Sequence, residues 1–138
     1  MTRRVLFICT HNSARSQMAE GLLRALGGIA FDVHSAGTVA TFVRPEAIAV
    51  MREIDIDISG QASKTLGQYL DAQFDEVITV CDDANDACPV FPGAGNRRHW
   101  SIPDPSAVTG NENTRLAAFR SARDNLRTRI ETELLSRR

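Results

Sequence analysis

The chain has 138 residues, 43% hydrophobic and 24% charged, with a formal net charge of −1. That length suits one domain, 1–138, with a real core, and the near-neutral balance argues against nucleic-acid or acidic-membrane binding. Three cysteines form no secreted disulfide framework, and the N-terminal apolar run is too short for a signal peptide or membrane span; a monomeric, cytoplasmic protein in a reducing compartment is expected.

In chain order, Val5, Leu6, Phe7 and Ile8 form the continuous apolar run of a parallel strand covered on both sides. Cys9 closes it, and Arg15 follows six positions later with Ser16 behind it. Ala19, Leu22, Leu23 and Leu26 then make one helical stripe, stopped by Gly27-Gly28. Phe31 to Ala36 predicts a second strand ended by Gly37, with His34 inside it as a structural residue. Pro45 suits the first position of a helix whose apolar face is Ala47, Val50, Met51 and Ile54. Ile54, Ile56 and Ile58 alternate with aspartates in an extended exit, and residues 60–72 predict a short helix. Phe74 to Val80 is the third strand, again ending on a cysteine, Cys81. The segment from Cys81 to Asn96 contains Cys88 and a Pro/Gly exit, the composition of a functional loop. Arg97 to Ile102 predicts a fourth strand, Pro103-Asp104-Pro105 a loop, and Leu116, Phe119, Leu126, Ile130 and Leu134 a long C-terminal helix. Alternating strands and helices imply an open, four-stranded parallel sheet with helices on both faces.

Ligands of such sheets bind at the carboxyl ends of the strands, where both Cys9 and Cys81 fall. The loop between Cys9 and the first helix wraps the positive end of that helix, a site suited to a tetrahedral oxyanion. Arg15 adds a planar fork of donors matched to two oxyanion oxygens. The same field favours the thiolate of Cys9, a nucleophile facing a bound electrophile. A cysteine six residues before an arginine is common by chance in an arginine-rich chain; the strand before and the helix after give the pattern its weight. The bland alternative is a buried structural cysteine.

The segments CTHNSARSQMAEG, SAG at 35–37, VITVCDDANDACP at 77–89 and HWSIPDP at 99–105 resemble the thioredoxin-coupled arsenate reductases, which share the fold of low-molecular-weight protein tyrosine phosphatases. The resemblance runs from Arg4 into the C-terminal helix. It implies that Cys9 is the nucleophile and that Thr10, His11, Asn12, Ser13, Ala14, Arg15 and Ser16 bind the oxyanion. It further implies that Asp104 is the acid, that Cys81 and Cys88 form a redox relay, and that thioredoxin is the reductant, without a cofactor. Some members bind potassium beside the loop through residues matching Asn12 and Glu20 plus a threonine and an aspartate; Ala62 and Lys64 hold those last two positions. His11 stands where glycine is common.

The expected chemistry starts with attack of Cys9 on arsenate while protonated Asp104 donates to the departing oxygen. Cys81 then attacks the Cys9 sulfur and releases arsenite, Cys88 attacks Cys81, and thioredoxin reduces the resulting disulfide. If strands one and three are neighbours, their ends lie about 4.8 Å apart, within disulfide reach. One alternative is a phosphotyrosine phosphatase, which has no use for Cys81 and Cys88 and for which Ser106 stands where an aromatic is expected. Another is a metal-binding or redox-sensing module of Cys81, Cys88 and His99, whose spacing is unlike that of zinc sites.

Overall fold

A computed structural model describes residues 2–81 and 91–135. Strand β1 (Arg3–Cys9) lies between β2 (Phe31–Gly37) and β3 (Phe74–Thr79), and β4 (Ala94–His99) pairs with β3. All pairings are parallel, in the order β2-β1-β3-β4, with Cys9 opposite Gly37 and Ile8 opposite Thr79. The alternation of β1 explains its unbroken apolar run. Val5, Phe7 and Cys9 enter one core, Leu6 and Ile8 the other, so no position of Val5–Ile8 meets water.

The first core lies under three helices: α1 (Arg15–Gly27), α2 (Pro45–Arg52) and α3 (Glu112–Ile130). Pro45 opens α2 as expected. The Asn111 side chain caps α3 by accepting from the Thr114 amide. Phe119, Ala122, Leu126 and Ile130 carry the buried stripe of α3. The opposite face is covered, among the described residues, by a 3₁₀ turn (Leu66–Tyr69) and by Phe91. His34 belongs to this face: its ring centroid lies 5.4 Å from Tyr69 and 5.7 Å from Phe74, and its Nε2 is 3.0 Å from Asp32 Oδ1. Its structural placement matches the expectation.

The fourth strand differs from the expected Arg97–Ile102. β4 is an edge strand, AGNRRH, paired on one side only and largely exposed, so no apolar alternation marks it. Trp100 and Ile102, which suggested a strand by their hydrophobicity, are core residues beyond its end. Trp100 packs on Phe7 with 5.9 Å between ring centroids and donates from Nε1 to Glu133 at 3.0 Å. No helix among the described residues is long and apolar enough to cross a membrane.

Candidate active site

The turn from β1 into α1 is held from outside by its carbonyl groups. Thr10 O accepts from the Val39 amide at 3.1 Å and Thr38 Oγ1 at 3.0 Å. His11 O accepts from Ser63 Oγ, Asn12 O from Gln17 Nε2, and Ser13 O from the Arg44 amide. In trans peptides the following amide points opposite to each carbonyl. Four consecutive carbonyls drawn outward therefore turn the amides of residues 11–14 away from those donors, the arrangement of an anion-binding nest. Ala14, at the N-cap of α1, supplies no side-chain cap, and the first turn of α1 contains no acid of its own to offset the positive end of the dipole.

Asn12 fixes the turn. It has φ +50°, a conformation asparagine tolerates, and it is fully buried. Its Nδ2 donates to Ser16 Oγ at 2.8 Å and Ser35 Oγ at 2.9 Å, while its Oδ1 accepts from the Lys64 amide and Gln17 Nε2. Ser16 Oγ is thus already an acceptor, and its proton is available to Cys9 Sγ, 2.8 Å away. His11 is not among the positive-φ residues, which explains why a side chain is tolerated there.

Close approach demands glycine at position 37. A Cβ there would lie 2.6 Å from Thr10 O, 2.8 Å from Asn12 N and 2.9 Å from Cys9 O, all backbone atoms. Arg15, whose side chain is 4% exposed, donates from Nη1 to Ile102 O at 3.0 Å and places Nη2 3.7 Å from Asp104 Oδ2. Asp104 Oδ1 accepts from the Ser106 amide at 2.9 Å, capping the short turn Pro105–Ala107. A cavity of about 310 Å³ is lined by Cys9, His11, Ser13, Ala14, Arg15 and Asp104, among others.

Six of the expected residues thus share one cavity, and Thr10, Asn12 and Ser16 complete the loop behind it. Cys81 is buried at the end of β3, its Sγ 4.0 Å from Ile8 O. Cys88 lies outside the described residues. His99 Nδ1 is 2.6 Å from Thr79 Oγ1, away from the cavity lining. Gln17 and Ser35 were marked only as members of the CTHNSARSQMAEG and SAG motifs, without a role, and Phe42 and Arg44 were not anticipated. The two positions from which some family members supply further potassium ligands do not suit that ion here. Lys64 Nζ sits 3.6 Å from Glu20 Oε1 and donates to Ala62 O at 2.7 Å, so an ammonium lies beside the Glu20 carboxylate.

A cysteine at a strand's carboxyl end, a turn whose carbonyls are drawn outward and a buried arginine in the first helical turn make a pocket able to hold an oxyanion, on a low-molecular-weight phosphatase-like fold. The chain belongs to the low molecular weight phosphotyrosine protein phosphatase family, which matches residues 4–136. It is 44% identical over 133 residues, 96% of each chain, to an arsenate reductase of Halalkalibacterium halodurans. A solved arsenate reductase in the phosphate binding state superposes with a TM-score of 0.83 at 33% identity, covering 98% of both chains. The thioredoxin-dependent arsenate reductase of Corynebacterium glutamicum gives 0.69 at 28% identity, covering 99% of this chain and 64% of the other.

Proposed function

We propose that this protein reduces arsenate to arsenite with electrons from thioredoxin, acting as a cytoplasmic monomer. The observation that carries the reading is the pairing of β1 with β3, which brings a second cysteine beside the oxyanion turn. Ile8 is opposite Thr79, so Val80 falls beside Cys9 and Cys81 one residue further. A lateral spacing of about 4.8 Å and one residue's rise of about 3.3 Å give a Cα separation of roughly 6 Å. That Cα separation lies inside the roughly 4.4–6.8 Å range of disulfides. Because Cys81 is one residue out of phase with Cys9 along the paired strands, its backbone must turn the side chain toward Cys9 for the bond to close.

Arsenate sits against the amides of the turn with Arg15 across two of its oxygens. Cys9 Sγ attacks arsenic, with Asp104 as the general acid for the departing oxygen, which leaves as water. The Ser16 hydroxyl faces the sulfur while it carries negative charge. The Cys81 thiolate then attacks Cys9 Sγ; the sulfur–arsenic bond breaks and its electron pair reduces arsenic(V) to arsenic(III). Cys88 attacks Cys81, freeing Cys9, and a dithiol of the thioredoxin class reduces the Cys81–Cys88 bond. Weak hydrolysis of aryl phosphates is a side activity of the same turn, with Phe42 in the cavity wall as the aromatic surface that Ser106 does not supply.

The test is arsenate-dependent NADPH oxidation in the presence of thioredoxin and its reductase, set against hydrolysis of an aryl phosphate. Robust oxidation with slow hydrolysis is expected; fast hydrolysis without arsenate reduction overturns the reading.

A further inference from the structure

Among the described residues, three buried side-chain nitrogen or oxygen atoms have no hydrogen-bond partner: Thr10 Oγ1, Arg44 Nε and Ser106 Oγ. Buried polar groups are nearly always paired, so each exception calls for a partner that the described residues do not provide. Two of the three belong to residues of one cavity, and the third to the turn behind it. Arg44 and Ser106 line the cavity that holds Cys9, and Thr10 is the residue after Cys9 in the turn. The cavity's 310 Å³ is roughly ten times the liquid-volume share of one water, more than a five-atom oxyanion fills against the turn.

The backbone of Arg44 is fixed while its side chain is loosely held. Its amide donates to Ser13 O at 2.9 Å and its carbonyl accepts from the Ile48 amide at 3.1 Å, tying it to both the turn and α2. Its Nη2 reaches Glu46 Oε2 only at 3.5 Å. Glu46 also has Arg115 Nε at 3.6 Å, so it keeps a cation beside it when Arg44 turns away. Arg15, by contrast, is buried and anchored on Ile102 O.

We propose that Arg44 is a second oxyanion-recognition residue. Its guanidinium, with the Ser106 hydroxyl, contacts the outward oxygens of the tetrahedral dianion that the turn and Arg15 hold from the other side. This deepens, and rests on, the reading of the cavity as an arsenate site. Two guanidiniums match the two negative charges of the substrate, and arsenous acid, uncharged near neutral pH, is not retained by the second.

The probe is inorganic phosphate, which has the substrate's shape and charge and is not reduced. Calorimetric titration of the reduced protein compares wild type with Arg44→Met, Arg44→Lys and Glu46→Gln. Arg44→Met is expected to weaken phosphate binding about tenfold, the scale of one charge-assisted hydrogen bond. The loss in arsenate turnover falls on KM more than on kcat, and Arg44→Lys recovers part of it. Glu46→Gln releases the guanidinium and tightens phosphate binding, but gives no gain in the Arg44→Met background. A folded Arg44→Met with wild-type phosphate affinity and KM overturns the proposal while leaving the arsenate reading intact. If that variant does not fold, unchanged affinity in Glu46→Gln overturns it instead. A wild-type protein that binds no phosphate removes both readings together.

Discussion

Replacing Gly37 by alanine tests the link between sheet register and the oxyanion turn. The added methyl would come 2.6 Å from Thr10 O, about 0.8 Å inside the 3.4 Å at which ordinary contact begins, and would also meet Asn12 N and Cys9 O. All three are backbone atoms, so no rotamer change relieves the overlap; β2 or the turn must shift by most of an ångström. Overpacking of this kind costs about 1–3 kcal/mol, which for a domain of this size lowers Tm by roughly 4–12 °C. A displacement near 1 Å in the groups that hold a reacting atom reduces turnover by about a hundredfold. Gly67→Ala is the control, since its methyl meets only Thr65 Oγ1 at an ordinary 3.6 Å. Thermal unfolding, phosphate titration and arsenate-dependent NADPH oxidation should show large losses for Gly37→Ala and none for Gly67→Ala. A Gly37→Ala protein with wild-type phosphate affinity and turnover would refute the close packing of strand and turn.

Cys9→Ser should abolish both arsenate reduction and aryl phosphate hydrolysis, because a hydroxyl stays protonated where a thiol ionises; appreciable turnover by that variant contradicts the role of Cys9. Turnover in KCl and NaCl at equal ionic strength should be the same, since Lys64 Nζ already faces Glu20 Oε1 and Ala62 O; a large gain specific to potassium refutes this. Burial pushes the carboxyl of Glu76 up, but Arg98, Asn96 and Arg3 outweigh it and hold it below the ordinary 4.5. A carboxylate depressed in the folded state stabilises fully above its unfolded value and loses that contribution as pH falls through the folded one. Glu76→Gln should therefore lower stability by about 1.5–3 kcal/mol at neutral pH, with the gap narrowing below pH 4.5; denaturant unfolding across that range checks the sign, and a gap that widens in acid is the wrong one.

The parts of the fold written in apolar pattern were legible in the sequence, and those written in polar contacts were not. Val5–Ile8 and the Ala19–Leu26 stripe announced β1 and α1 because burial on both faces, or along one stripe, leaves a period. β4 left none: as an edge strand its AGNRRH sequence is dominated by glycine and charge, and the apolar Trp100 beyond its end drew the boundary too far. At the site, Cys9 and Arg15 stood out because an apolar strand leads into the first and a helix follows the second, whereas Asp104 was named only through the family resemblance. Gln17, Ser35 and Arg44 act through contacts reaching distant segments, as Gln17 does to Ala62 and Asn12 to Ser35. No local pattern encodes such pairs. Lys64 was an intermediate case: the sequence put a lysine where some family members have a potassium ligand, and only the geometry brings its ammonium to Glu20.

The central claim, that Cys9 passes arsenate's oxidising equivalents to Cys81, is tested most directly with Cys88→Ser. Reduced variant is mixed with stoichiometric arsenate, quenched in acid and mapped by mass spectrometry, with arsenite quantified in the same sample. The account predicts about one arsenite per chain, a peptide pair joined through Cys9 and Cys81, and no further turnover when thioredoxin is absent. Arsenite formed with Cys9 and Cys81 both still reduced, or sustained wild-type turnover with thioredoxin, would contradict it.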